Sequence, residues 1–313
     1  MRKNLLTLVF LFAVLLIKAQ TVLVHPNFKS GDQKYYLENI IIEKGDQKID
    51  FLFVQRVKVL SQDASGYTME TEIKEYEIHY TQRTFDTDLL ETIWKSRKNN
   101  VYKFKTNTSG SIVKLLNAND VMAKGEENLG DTWELVFWGK YPELFENIQQ
   151  QLGLRKSVLA GLTEPGFIDW MQEPPFLFSQ FGKQYVKNTK EHYKANDGLI
   201  MQKTIDSIEF GEKREVKVEI TEKLDMSIEE RKQLIFDLLK KEYPDNIDDA
   251  EKILDDAFKA SGLGELKKVR VMTFIFDSNF WPIKFSFGEK DNTTVTKYML
   301  DLLTDEEIKE LLR

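Results

Sequence analysis

YYLENIIIEKGDQKIDFLFVQRVKVL, Tyr35 to Leu60, is the stretch that decides the fold class. Its two arms, Tyr35–Glu43 and Ile49–Leu60, are β-branched and aromatic runs of the kind that form strands. Between them stands Lys44-Gly45-Asp46-Gln47, a turn composition, so the stretch reads as two strands joined by a turn. A further turn at Asp63–Gly66 leads into a long strand, Tyr67–Thr81, and the three make an antiparallel meander. The tetrapeptide GDQK occurs at Gly31–Lys34 and again at Gly45–Lys48. Its flanks do not match, and it marks two similar turns.

Further along, Asp86 or Thr87 caps a short helix with Leu89, Leu90, Ile93 and Trp94 on one face. Val101–Thr106 and Ser111–Leu116 form a hairpin around Ser109-Gly110. A mostly helical stretch follows, with Trp133, Val136, Phe137, Tyr141, Leu144, Phe145, Ile148 and Leu152 at three- and four-residue steps. Pro142 suits the first turn of its last helix, and Gly153 the residue just beyond its end. Residues 159–182, LAGLTEPGFIDWMQEPPFLFSQFG, break this periodicity with Pro165, Pro174-Pro175 and glycines, which exclude a long regular element.

The order of elements then repeats. Strands Leu199–Phe210 and Glu215–Leu224 precede a helical hairpin opened by Ser227 with Glu230 and by Asp248 with Glu251. Pro244 ends its first helix, and Gly262 and Gly264 its second. Strands Lys267–Phe276, Trp281–Phe287 and Thr293–Leu300 follow, then a short helix capped by Thr304 with Glu307. The expected architecture is α+β, a curved antiparallel sheet with helices packed on one face, in two similar halves. Its boundaries are a signal peptide at 1–19, an N-terminal strand-rich half with helices at 20–158, a connecting segment at 159–182, and a C-terminal strand-rich half at 183–313.

The first twenty residues, MRKNLLTLVFLFAVLLIKAQ, read as an address. Arg2 and Lys3 precede an apolar run, Leu5–Ile17, which is short for a bilayer span and the right length for a signal peptide. Ala19 suits the cleavage position, and the destination is periplasmic or extracellular. Removing 1–19 takes away Arg2, Lys3 and Lys18 and lowers the formal charge from −7 to −10. An acidic chain without a basic cluster excludes nucleic acid and docking on an anionic membrane surface. The chain has no cysteine, so disulfides, thiol catalysis, thiolate metal sites and lipoprotein acylation are excluded as well. No later apolar run is long enough for a transmembrane anchor.

Sequence motifs for chemistry are lacking. The three histidines are His25, His79 and His192. His79 shares a strand face with Glu75 and Glu77, a conceivable metal site that reads better as a solvated face. H-E-x-x-H, G-x-S-x-G, the Walker loop and G-x-G-x-x-G are all missing. Asp245, Ile247 and Asp249 fall on odd positions of a calcium loop, but Ala250 stands where that loop needs glycine. No catalytic residue, metal site or cofactor is assigned, and a carboxylate-dependent hydrolase remains the third reading. What stands out is apolar: Trp133, Phe137, Phe167, Trp170, Met171, Phe176 and Phe178 either plug the core between the halves or line a hydrophobic pocket.

Two stretches, VYKFKTNTSGSIVKLLN at Val101–Asn117 and MTFIFDSNFWPIKFSFGEK within Lys267–Leu300, are strand, small polar turn, strand units. They resemble hairpins of the periplasmic lipoprotein-carrier and outer-membrane lipoprotein-sorting-like fold, and of uncharacterised secreted proteins of Gram-negative bacteria. The resemblance covers about a third of the chain and has no diagnostic motif, and the carriers are shorter, with one such unit. It implies an apolar concavity that binds acyl chains. The leading expectation is therefore an exported soluble protein that binds a lipid or other hydrophobic small molecule. The second is an envelope-assembly component that binds a protein partner, through strand edges, with no small ligand.

Overall fold

The structure is a computed structural model that describes residues 20–131, 133–142, 148–172, 176–195, 197–242 and 247–312. The expected signal peptide lies outside the described residues, as do Leu144, Phe145, Pro174, Pro175, Pro244 and Asp245. The side chains of Val136, Ile148, Leu152, Asp248 and Glu251 are likewise outside them.

The strand-forming runs pair as their turns dictate. After a short β1, Thr21–Leu23, come β2, Gln33–Lys44, β3, Gln47–Asp63, and β4, Gly66–Tyr80. Gly45, at φ 57°, and Asp46 form the two-residue turn that sets Lys44 opposite Gln47. β5, Val101–Thr106, and β6, Ile112–Leu115, complete the N-terminal wing. The C-terminal strands are β7, Gln184–Val186, β8, Lys190–Lys194, β9, Ile200–Phe210, and β10, Val216–Leu224. β11, Val269–Phe276, β12, Pro282–Lys290, and β13, Thr294–Leu302, follow. Eleven of these strands form one open antiparallel sheet in the order β6-β5-β4-β3-β2-β13-β12-β11-β10-β9-β8, and β1 pairs separately with β7. The fold is α+β with a curved sheet.

Alternation puts one side of every strand on an inner face. Register carries that face across the sheet, from Phe53 to Glu38, Leu300, Phe285, Phe274, Val218 and Ile208. All seven are buried.

Helices α1, Phe85–Arg97, α2, Ala118–Leu129, α3, Trp133–Lys140, α4, Ile148–Ala160, and α5, Glu164–Gln172, belong to the N-terminal wing. The cap of α1 is Thr84, not Asp86 or Thr87. Thr87 is its reciprocal partner, with the Thr84 N–H donating to Thr87 Oγ1 at 2.8 Å. Gly153 lies inside α4 instead of beyond a helix end. Its Cβ position faces open space, so only the modest helix penalty of glycine, about 1 kcal/mol, opposes it. The aperiodic segment 159–182 also holds a regular element, the nine-residue α5, in which Pro165 occupies the first turn.

A helical hairpin, α6, Ile228–Glu242, and α7, Ile247–Ser261, stands between the ends of β10 and β11. Ser227 and Glu230 cap α6 reciprocally, with N–H bonds of 2.7 and 3.2 Å. Ile235 and Phe258 are buried there outside the main core cluster. The short α8, Asp305–Leu311, has the expected Thr304–Glu307 capping box.

Candidate functional site

The site is built on the inner face, and the two wings are covered differently. On the N-terminal wing, Trp94 of α1 lies 4.4 Å from the ring of Phe51 and 4.7 Å from that of Phe53. Phe167 of α5 stacks on Tyr102 of β5 at 5.0 Å, and Trp170 meets Tyr102 at 5.7 Å. On the C-terminal wing the cover is a strap. It starts at Phe176, 5.8 Å from Tyr298, and continues through a 3-10 turn at Leu177–Gln180. Leu177 and Gln180, with Phe274, Phe276 and Phe285, line a small cavity of about 10 Å³. Beyond it, Tyr185 of β7 receives the Lys203 ammonium on its ring face at 5.1 Å. β1 is bonded to this strap along Thr21–Leu23, and Val24 donates to Lys183 O at 2.9 Å. Phe28 then stacks on Trp281 at 3.9 Å.

Of the residues singled out in the sequence, the structure joins Phe167, Trp170 and Phe176, with centroid steps of 6.1 and 6.2 Å. Phe178 meets Phe167 through Phe104, and Met171 Sδ accepts from Gln55 Nε2 at 3.7 Å. Trp133 and Phe137 form a different group with Phe85 and Tyr141. That group is tied down by Asp88, which accepts from Lys140, Tyr141 and Arg83. Burial would raise the Asp88 carboxyl, but these three donors outweigh it and hold it below its ordinary value.

Two buried ionisable groups without an ion-pair partner among the described residues were not among the sequence-derived candidates. Glu38 sits at the seam where β2 meets β13 and accepts a hydrogen bond from Tyr298 Oη. Its Oε1 and the Tyr36 hydroxyl are buried without partners. Burial raises the Glu38 pKa to about 8, against the lowering effect of Tyr298, so the group is largely protonated near neutral pH.

Arg97, in the last turn of α1, is 8 % exposed. Its guanidinium lies 4.3 Å from the ring of Trp170 and 5.1 Å from that of Trp94. Among the described residues no carboxylate pairs with it, its Nε is buried unbonded, and burial lowers its pKa. A desolvated cation–π contact contributes about 2 kcal/mol, whereas removing a charge from water costs several. The tryptophan faces therefore offset only part of the cost. Both signals are visible in hindsight. Glu38 shares the two-residue alternation of Tyr36 and Ile40, and Arg97 stands three residues after Trp94 on one helix face.

His79 pairs with Glu77 at 3.4 Å while Glu75 pairs with Lys98 at 2.6 Å, all exposed, so the three do not converge on a metal. His25 is exposed, and exposed His192 bonds Asp225 at 2.7 Å. No group of metal-ligating side chains exists among the described residues. The long strands lie inside the sheet, and its edges are the short β6 and β8. On β6, the Ile112 and Leu115 N–H groups donate to Gln172 and Glu164 of α5 at 2.8 and 2.9 Å. β8 reads KEHYK, a charged edge. Among the described residues no helix is long and apolar enough to cross a membrane.

No protein-family model matches the chain, and no curated protein matches its sequence. Solved structures do match. A structure of lipid-protein interactions in lipovitellin is 10% identical with a TM-score of 0.40, over 88% of this chain. This chain spans only a quarter of that one, 25%. A chain described as an outer membrane lipoprotein-sorting protein domain from Vibrio parahaemolyticus is 8% identical, TM-score 0.22, over 90% of this chain and 91% of that one. A lipoprotein from Parabacteroides distasonis is 12% identical, TM-score 0.23, over 90% and 98%. The chain is thus weakly similar to lipoprotein-sorting and lipoprotein-like proteins of Gram-negative bacteria. At these TM-scores the likeness says nothing about activity.

Proposed function

We propose that the protein is an exported carrier that holds a lipid or other hydrophobic molecule against the inner face of its sheet. One observation carries the reading. The inner face is apolar through both wings apart from buried polar groups such as Glu38 at the seam, and on the C-terminal wing its described cover is a strap of short elements held by β1. Small-ligand sites are apolar with few polar groups, and a thin cover is what a ligand displaces on entry. In this reading Phe167, Trp170, Met171, Phe176 and Phe178 line the ligand's path at the junction of the wings, while Trp133 and Phe137 belong to the separate group with Phe85 and Tyr141. The leader sequence supports export. Native mass spectrometry of gently purified protein is expected to show a co-purified lipid, and the emptied protein to take up a fluorescent fatty acid. A clean apo mass together with no uptake would overturn carriage.

A second reading, an envelope-assembly component without a small ligand, is favoured by the packing beneath the strap, where the space of about 10 Å³ has room for one water. The covered and charged sheet edges direct such a partner to surfaces other than a strand edge. Crosslinking in the envelope is expected to trap one stoichiometric partner if this reading holds, and only monomer if it does not.

A further inference from the structure

The charge balance of the interior singles out one group. Asp88 meets three donors, and Glu38 is held neutral by burial and bonded by Tyr298. Arg97 has neither remedy. It is more than nine-tenths buried, no carboxylate faces it among the described residues, and no hydrogen bond satisfies its Nε. Its ring contacts are two tryptophan faces, which accept a cation but do not bond the in-plane donors of the guanidinium, and its electrostatic neighbour Tyr102 has a buried hydroxyl that also lacks a partner.

The surroundings are shaped for approach. Gly161, in the turn between α4 and α5, lies over the guanidinium, and a Cβ there would stand 2.7 Å from Arg97 Nη2. Outside this turn is a depression of about 410 Å³ lined by Met122, Leu159, Ala160 and Thr163, with Arg155, Lys156 and Glu126 as its charged residues. On its other side, Trp170 leads through Phe176 to the junction of the wings. Arg97 therefore stands between this depression and the inner face.

We infer that Arg97 anchors the anionic end of the carried molecule, the carboxylate or phosphate of an amphiphile whose chain lies along the inner face. The inference rests on the carrier reading. A planar guanidinium matches a carboxylate or phosphate in a two-bond fork, and the low-polarity setting strengthens that bond. The ligand class is an acyl-chain anion, and neutral hydrocarbons or alcohols of the same length are its weaker competitors.

The test compares dodecanoate with dodecanol, and both with inorganic phosphate, by calorimetry and by tryptophan emission, since Trp94 and Trp170 flank the guanidinium. Dodecanoate is expected to bind about tenfold or more tightly than dodecanol. Arg97→Met should bring dodecanoate down to the affinity of dodecanol and leave dodecanol unchanged, while Arg97→Lys keeps part of the preference. Should Arg97→Met not fold, Gly161→Ala, which displaces the guanidinium without removing its charge, is expected to weaken dodecanoate selectively. Equal binding of acid and alcohol by the unmodified protein would overturn the anchor and leave carriage standing, with Arg97 a purely structural clamp between tryptophans. Failure of both chains to bind would overturn carriage. If inorganic phosphate alone then shifted the emission in an Arg97-dependent way, the amphiphile would be overturned as the source of the anion.

Discussion

The N-terminal wing is covered by helices and the C-terminal wing by a strap, although the strands beneath them are of the same kind. Over the N-terminal wing α4 and α5 meet in close backbone contact. A Cβ on Gly166 of α5 would stand 2.3 Å from Ala160 O and 2.8 Å from Gly161 Cα, both backbone atoms. The C-terminal cover is thinner, a three-residue β7 paired with a three-residue β1. One sheet thus carries a rigid cover and a light one, and the lesson is where to expect opening. The strap's residues are buried, but its elements are short and held by few strand hydrogen bonds, and such elements open locally at lower free-energy cost than long helices or central strands.

The largest expected effect breaks the rigid side. Gly166→Ala forces backbone apart between α4 and α5 and is expected to cost about 3 kcal/mol or more, read as a lowered denaturation midpoint at unchanged slope. A variant as stable as the parent would mean that the helical cover is as yielding as the strap.

The next tests the seam between the wings. Glu38 titrates near pH 8 when folded and near the ordinary 4.5 when unfolded. Below the unfolded value both states are protonated and nothing is lost. As pH rises from about 4.5 to 8 the unfolded state sheds its proton first, so stability falls through that window. Glu38→Gln mimics the protonated form and keeps an acceptor for Tyr298. It is expected to gain about 3 kcal/mol near pH 7, from roughly 1.4 kcal/mol per unit, and to lose that advantage near pH 4. Urea unfolding at both pH values measures it, and equal gains at both would sink the assignment.

The smallest effect belongs to the strap. Val22 of β1 is buried, yet Val22→Ala is expected to cost only about 1 kcal/mol in global stability. Its signature should be local, with faster hydrogen exchange at the Val24 and Lys187 amides, which bond Lys183 O and Gln20 O. Equal acceleration in β3 would show that the strap and the sheet open together.

The meander, the hairpins and the caps at Ser227 and Thr304 were legible because each is local: a turn composition, an alternation, an S/T-x-x-E spacing. Local reading failed where competition was non-local. Gly153 looks like a helix stop, but open space around it lets α4 continue. Asp86 looks like a cap, but Thr84 and Thr87 satisfy each other first. The aromatic content of 159–182 was plain in the sequence, whereas its neighbours were not. That Phe167 faces Tyr102, and Phe176 faces Tyr298, depends on register across strands far apart in the chain. Arg97 and Glu38 were hidden for a related reason. A charge on an apolar face is a visible anomaly, but its missing partner can be counted only once the fold has closed around it.

The seam has a consequence for how the molecule is made. Its central strands, β2 and β13, come from opposite ends of the chain, and the Tyr298–Glu38 bond spans 260 residues. A chain delivered with its N-terminus first has β2 in hand long before β13 exists. Throughout that interval the free side of β2, carrying YYLENIII, is an unpaired edge of the kind that recruits other chains. The middle of the sheet is therefore the last part to close. A nascent or translocating chain depends on being kept apart from its copies until residues 294–302 arrive.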